Sequence, residues 1–337
     1  MAREIINAYY EILSKDFPDF LHPYLELPLL RRLEGVGLLC GTDWTSLYDN
    51  RFFYSRLDHS IGVALIIWNF TKDRKQTIAG LLHDVSSPAF SHVMDFRNND
   101  ALHQESTESD NIRMLREDTV LASLLQSDGL TLDEVEDYHL YPVADNKMPR
   151  LSADRLEYMY MTGLIMEGIW TLDEIKTTYD DISVMTDEEG DVELGFATPE
   201  IAEMYCDKCC RTGLIMVKNE NKLTLSLLAH LCTLAVEEGA VSEDDFYRLS
   251  EKELIDRFET IGDAGFRRLF GIFREMTAIR RSEEPPTEGF VISMEVKRRY
   301  IDPLCSGRRL SALSGSAAQT IRDLLTFRDS RFAAVGS

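Results

Sequence analysis

The sequence predicts a mainly α protein on three observations. Apolar residues recur at helical spacing through most of the 337 residues. Helix-capping residues stand just ahead of these runs, at Asp73, Asp118 and Ser152, with a capping-box pattern beginning at Thr131. Strand-like patterning is confined to 182–196 and, more weakly, to Phe290–Tyr300.

In order, Ile5–Leu13 reads as an amphipathic helix, and Leu27–Leu39 as another with Arg31 and Arg32 on its polar side. Gly41–Asn50 carries loop residues. Leu57–Phe70 is an apolar helix interrupted only by Gly62, and Asp73 caps the next, which runs to His83. Ser86-Ser87-Pro88 opens a short element. His103–Leu115 and Thr119–Leu125 are helical, and Ser152 caps Ala153–Met166. Ile182–Met185 and Val192–Phe196 flank Asp187-Glu188-Glu189-Gly190, a β-hairpin whose acidic turn reads as a solvated face. Helices resume from Pro199 to about Arg281, and Glu283-Glu284-Pro285-Pro286 is a linker. The tail 311–337 holds one more helix and is expected to fray. Residues 1–170 are expected to form a helical core, with 171–337 packed on it.

Composition narrows the function. The net charge is −22, from 36 basic and 58 acidic residues, which argues against a general nucleic-acid binder. No apolar run is long enough to cross a bilayer and no secretory segment is apparent, so a cytoplasmic protein is predicted. The six cysteines are expected to be reduced. Cys206, Cys209 and Cys210 contain a C-x-x-C without a matching second pair, so they read as a helix stripe facing the core rather than a zinc site.

The pair His83-Asp84 ends the apolar run Ile78-Ala79-Gly80-Leu81-Leu82. A buried helix end tolerates an imidazole and a carboxylate side by side only if something binds them. His59 and Asp154 stand on other apolar helices and can complete a set of two imidazoles and two carboxylates. That set suits one divalent ion, with Mn, Fe, Ni, Zn, Co and Mg all open.

The order H…HD…D carries a resemblance. Leu29-Leu30-Arg31-Arg32-Leu33 resembles R-L-x-x-I, and Arg56-Leu57-Asp58-His59-Ser60-Ile61-Gly62-Val63 is similar to R-F-E-H-S-L-G-V. Ala79-Gly80-Leu81-Leu82-His83-Asp84 is similar to A-G-L-L-H-D, and Pro88-Ala89-Phe90-Ser91-His92 resembles G-P-F-S-H. Across roughly 25–165 the chain thus resembles the HD-domain metal-dependent phosphohydrolases, most closely the deoxynucleoside triphosphate triphosphohydrolase branch. The resemblance implies an HD-domain helical bundle with additional C-terminal helices. It implies metal ligation by His59, His83, Asp84 and Asp154, with Arg56, His92, Arg155 and Tyr158 facing phosphate. For Arg155 and Tyr158 a helix-surface ion pair and a half-buried phenol stay open, as does a structural role for His92.

One position departs from the branch. Ser87 stands where it places a catalytic histidine, and serine has no pKa near neutrality. Asp95 lies three residues after His92 on the same helix face, and His103 with Glu105 resembles the branch's next H-E segment. Asp95, His103 and Glu105 are therefore the candidate catalytic residues, His103 being also readable as a surface residue. The basic stretch Lys297-Arg298-Arg299-Tyr300 with Arg308-Arg309 reads as a solvated strand edge, with a pocket rim or an oligomer contact left open. The function these residues imply is a phosphohydrolase acting on a small phosphorylated substrate, a nucleotide in the finer reading, as a possible homo-oligomer. The alternative is a catalytically impaired metal- and nucleotide-binding sensor.

Overall fold

The structure is a computed structural model and describes residues 2–104 and 109–336. At its centre lies the helix Arg56–Thr71, whose residues from Arg56 through Ile67 are all buried. A helix buried on every face is apolar all round rather than amphipathic. Ser55 caps it: its hydroxyl accepts from Asp58 N–H, and the Asp58 carboxylate accepts from Ser55 N–H. Lys72, in the left-handed region at φ 52°, ends the helix. Asp73 then caps Arg74–Leu82 by accepting from Lys75 N–H and Gln76 N–H. The two helices run back to back because Gly80 allows it: a Cβ there would lie 2.2 Å from Ile67 Cδ1.

The third helix of this group, Ala153–Ile165, starts at Ser152, whose hydroxyl accepts from Arg155 N–H. The start of the first helix, the end of the second and the start of the third meet at one end of the bundle. These three ends carry His59, His83-Asp84 and Asp154. Ile165, Trp170, Ile175 and Tyr179 share one core across residue 170. A second core gathers Phe90 and Val93 with Leu228, Phe258, Phe266 and Phe273. The segment following His83-Asp84 is thus packed on the C-terminal helices.

Several expectations need correction. Leu27–Leu39 is not one helix: Pro28–Arg31 is α-helical, Arg32–Gly35 is 3-10, and Val36 is extended. Backbone pairing takes over there, with Arg56 N–H donating to Val36 O at 2.7 Å and Leu38 N–H to Tyr54 O at 2.9 Å. Arg31 stays exposed, paired with Glu26, but Arg32 turns inward and donates to Val85 O and Ser87 O at 3.0 and 2.7 Å. Helix is described over Ser109–Glu117 rather than from His103.

The hairpin forms as expected from Ile182–Thr186 and Val192–Phe196, and the second strand pairs in parallel with Leu304–Cys305. Its turn is only partly solvated. Arg150 lies within 3.1 Å of both Asp187 and Glu189, and Arg309 bonds Asp187 and the buried Glu193. The tail does not fray. After the helix Gly315–Thr326, the strand Phe332–Val335 pairs between Arg280–Ser282 and Phe290–Ile292 and buries Ala333 and Ala334. That pairing also confines the strand expected over Phe290–Tyr300 to its first residues. Cys206, Cys209 and Cys210 are buried and unbridged.

Candidate metal centre and catalytic cavity

At the meeting point of the three helix ends, His59 Nε2 lies 3.3 Å from His83 Nε2 and 3.1 Å from Asp154 Oδ1. His83 Nε2 is 3.7 Å from both Asp154 Oδ1 and Asp84 Oδ2, and His59 Nε2 is 3.9 Å from Asp84 Oδ2. What suits the arrangement to a metal ion is the far side of each ring. His59 Nδ1 is held by the Glu157 carboxylate, and His83 Nδ1 donates to Gly80 O at 2.7 Å. Both Nδ1 atoms face acceptors, so both carry hydrogen, and both Nε2 atoms present lone pairs to one point. Two converging lone pairs with carboxylate oxygens beside them fit a shared cation, and the partner behind each ring is the usual support for a metal-binding imidazole.

The electrostatics agree. Burial opposes a charge on His59, but Glu157 and Asp154 outweigh it and raise its pKa to about 10, so the Nε2 lone pair holds a proton unless a cation takes that proton's place. Burial likewise opposes the Asp84 carboxylate, yet Arg56, His83 and His59 hold it well below the usual carboxylate range. For Asp154 burial is again overridden, by His59 first, and its pKa falls to about 2. Glu157 is fully buried and also accepts from Tyr54 O–H at 2.6 Å. Gly62 faces it across the helix pair: a Cβ there would lie 2.8 Å from Glu157 Cγ.

Asp84 is steadied from two sides. Arg56 Nη1 donates to its Oδ2 at 2.6 Å, and Ser87 O–H donates to Oδ1 at 2.9 Å. The serine at the departing position therefore braces a ligand. Arg56 Nε donates to Ser91 Oγ at 2.7 Å, and Ser91 O–H donates to Gly37 O at 3.1 Å. Phe90 and Ser91 both have positive φ, 64° and 51°, a conformation non-glycine residues adopt only when their surroundings impose it. Glu251 supplies part of that constraint, accepting from Phe90 N–H, Gly37 N–H and Trp44 Nε1–H.

A cavity of about 410 Å³ opens on this centre. His59, His83, Asp84 and Asp154 line it together with Arg56, His92, Arg155 and Tyr158, so the structure gathers all the ligand and phosphate-facing candidates. His92 Nδ1 pairs with the buried Asp95 at 2.8 Å, and its Nε2 lies 3.3 Å from Arg299 Nη2. Burial lowers the His92 pKa to about 4; Asp95 resists, while Arg299 and Arg56 reinforce the shift. The ring is neutral, with Nδ1–H toward Asp95 and Nε2 accepting from Arg299. Arg155 turns most of its donors to the protein, pairing with Asp145 at 3.0 Å and donating to Arg150 O at 2.8 Å.

Asp95 itself does not line the cavity and reaches it through His92, and His103 stands further outside. Its side chain is 76% exposed, pairs with Asp100 at 3.1 Å, and does not line the cavity; its neighbour Gln104 does. Glu105 lies outside the described residues. Lys297 and Arg299 also line the cavity, so that part of the basic stretch belongs to the site and not to a solvated edge. Sequence reasoning missed Glu157, although its spacing of three from Asp154 puts both on one helix face. It also missed Tyr138 and Asp145, which nothing in the local sequence marks.

Known proteins resemble the chain in part. Over 141 residues, 41% of the chain, it is 32% identical to the uncharacterized protein YdhJ of Bacillus subtilis (strain 168). Over 129 residues, 38% of the chain, it is 30% identical to the metal-dependent phosphohydrolase cns2 of Cordyceps militaris. The aligned stretches span only 42% and 36% of those relatives. No protein-family profile matches the chain. A phosphohydrolase from Bacteroides thetaiotaomicron VPI-5482 has a similar structure, with a TM-score of 0.62 at 15% identity over 96% of this chain and 97% of that one. A hypothetical protein from Aquifex aeolicus matches at a TM-score of 0.62 and 16% identity, over 95% of this chain and 92% of that one. The fold is mainly α and is shared with these two structures. Among the described residues, no helix is long and apolar enough to cross a membrane.

Proposed function

We propose that the cavity is the active site of a metal-dependent phosphohydrolase that cleaves a phosphate ester or anhydride of a small compound, a nucleotide in the finer reading. The observation that carries this is the pair of imidazole Nε2 atoms 3.3 Å apart, each ring's Nδ1 engaged elsewhere. His59, His83, Asp84 and Asp154 would hold one divalent ion. Such an ion lowers the pKa of bound water and polarises phosphoryl oxygens. The similarity to cns2 supports the reading.

The chain's own residues divide the remaining work. Lys297, Arg299 and Arg56 line the cavity and set positive charge against phosphate oxygens. Burial is the main cause of the low His92 pKa and Arg299 adds to it, so an anionic substrate that engages Arg299 removes that added repulsion and favours a proton on His92. His92 Nε2, backed by Asp95, can then take up a proton and deliver it to a leaving oxygen. This assignment gives Asp95 and His92 the acid–base role that Ser87 cannot perform. The exposed position of His103 leaves it outside this scheme. Tyr138 and Tyr158 also line the cavity and offer aromatic faces to a nucleobase.

The test is a screen of the purified chain with added Mn. Substrates are deoxynucleoside triphosphates, nucleoside monophosphates, guanosine tetraphosphate and an aryl phosphate, with Asp84→Ala as control. We expect turnover of at least one phosphate by the wild type, and loss of both metal and turnover in Asp84→Ala. A variant that keeps full activity and bound metal moves the active site elsewhere. Tight binding without turnover makes the protein a sensor.

A further inference from the structure

A second cavity, of about 330 Å³, lies behind the catalytic one and is lined by Lys222, Arg298, Arg328, Arg331, Glu295, Asp329 and neighbouring residues. Its basic side chains converge in a protein whose net charge is −22. Lys222 is only 6% exposed, and its ammonium makes no hydrogen bond or close ion pair among the described residues. A lysine whose stem is buried and whose ammonium faces a cavity without a hydrogen bond is stabilised when an anion meets it there.

The nearby carboxylates do not supply that partner. Asp329 is spent on Arg281 Nε at 3.0 Å and on the N–H groups of Asn219 and Ser330, both at 2.8 Å. Glu295 reaches Arg298 at 3.4 Å and is largely exposed. Arg298 donates to Leu324 O and Phe327 O, which fixes its guanidinium at the cavity wall. Arg331 lies over the Phe332 ring, 5.2 Å from its centre, and like Arg328 it is exposed at the rim. Burial holds the Lys222 ammonium below the ordinary lysine value. Glu295 and Asp329 oppose that shift, while Arg298 and Arg328 add to it. An ammonium disfavoured by burial and by neighbouring guanidinium groups is poised for an anionic ligand.

We infer that this cavity is an anion site that takes a phosphate group, either as inorganic phosphate or on a small phosphomonoester, separately from the catalytic cavity. Lys222 is its buried anchor, Arg298 its fixed wall, and Arg328 and Arg331 its entrance. The volume lies at the lower end of the range for small-molecule pockets, which suits a compact ligand. The two cavities share their walls. The helix Asn219–Glu237 turns Asn221 and Leu225 to the catalytic cavity and Lys222 to the second. The stretch 293–299 sends Lys297 and Arg299 to the first and Glu295 and Arg298 to the second. This inference goes beyond the proposed hydrolysis and stands whether or not that reaction is confirmed.

The experiment is calorimetric titration of the full chain, stripped of metal by a chelator, with inorganic phosphate and separately with adenosine monophosphate. The wild type is expected to bind one equivalent more than Lys222→Met. Lys222→Arg is expected to keep that equivalent, because the charge is retained. Adenosine monophosphate binding at least tenfold tighter than phosphate assigns the site to an organic monoester, and equal affinity assigns it to the free ion. Equal stoichiometry in the wild type and Lys222→Met overturns the inference. If Lys222→Met does not fold, Arg331→Ala at the exposed rim serves instead: a weaker second site supports the inference and an unchanged one sinks it.

Discussion

On the proposed metal side of the cavity, three of the four donors are braced from within the first half of the chain. Glu157 stands behind His59, the Gly80 carbonyl behind His83, and Arg56 with Ser87 behind Asp84. The opposite side is assembled from distant pieces: His92 meets Arg299, 207 positions away, and Met216, Asn221 and Leu225 come from the C-terminal helices. The difference teaches how labour divides in the site. The metal side is a rigid socket whose geometry follows from three helix ends. The other side is a polar surface that depends on the packing of the two halves.

The largest effect is expected from breaking the socket itself. Asp154→Ala removes the carboxylate nearest His59 Nε2 and should lower kcat by on the order of 10³-fold or more, the scale seen when one member of a group acting as a unit is lost. Elemental analysis should show the metal lost with it. A variant that retains both metal and rate would mean the socket does not hold the ion.

Next comes the support behind the socket. Glu157→Gln cannot satisfy His59 Nδ1–H and Tyr54 O–H with two acceptors as the carboxylate does. Metal affinity should fall by about 10–100-fold, the usual effect of losing such a partner. Saturating metal should restore most of kcat. Gly62→Ala is an independent approach, because its Cβ would press on the Glu157 side chain. Titration of the ion by fluorescence or calorimetry checks both, and unchanged affinity in both would remove Glu157 from the metal's support.

The same contrast explains what could be read from sequence. The proposed ligands could be picked out because each has a local mark: His83-Asp84 is a dipeptide closing an apolar run, His59 is a lone imidazole on an apolar helix, and Asp154 follows the capping Ser152. Glu157 was concealed by its own ordinariness, as a helical glutamate next to charged neighbours. Arg299 and Lys297 were visible only as a basic stretch, because their meeting with His92 depends on tertiary packing. The strand Phe332–Val335 was missed for a related reason: its partners are strands of three residues each, too short to show a period. Arg32 was assigned to a polar face by helical spacing, and the helix that assignment assumed ends at Arg31.

On the assembled side, Arg299→Met removes the bonds to Gln104 Oε1 at 2.5 Å and to His92 Nε2 at 3.3 Å. A charged hydrogen bond is worth about 1.5–3 kcal/mol, so KM for the phosphate substrate should rise by roughly 10-fold or more. The metal affinity should not change, which separates this wall from the socket. Removing the guanidinium should also let the His92 pKa rise from about 4, a shift that NMR titration of the ring detects. A fall in metal affinity equal to that in Glu157→Gln would erase the distinction between the two sides.

The smallest effect on activity is expected where the two halves are joined, at Glu251, whose substitution acts on stability instead. Its carboxylate is fully buried, and burial raises its pKa from 4.5 to about 7, against the bonds from Trp44, Gly37 and Phe90. The folded protein therefore holds a proton there that the unfolded chain releases at lower pH. Stability from this group is full below pH 4.5 and is lost as the pH rises through 7. His92 acts in the opposite sense, its stabilising effect being lost as the pH falls from 6.5 through 4. The wild-type profile is thus a sum, and Glu251→Gln isolates one part of it. Glutamine keeps an oxygen for Gly37 N–H and Phe90 N–H but turns an amide N–H toward Trp44, which costs about 1 kcal/mol. It does not titrate. The variant should be less stable than the wild type at about pH 4 and gain on it steadily up to about pH 8, by about 3 kcal/mol for a shift from 4.5 to about 7. Denaturant unfolding at a series of pH values measures the difference. Parallel curves would show that Glu251 binds its proton alike in the folded and unfolded chain, and that folding takes up no proton at the join between the halves.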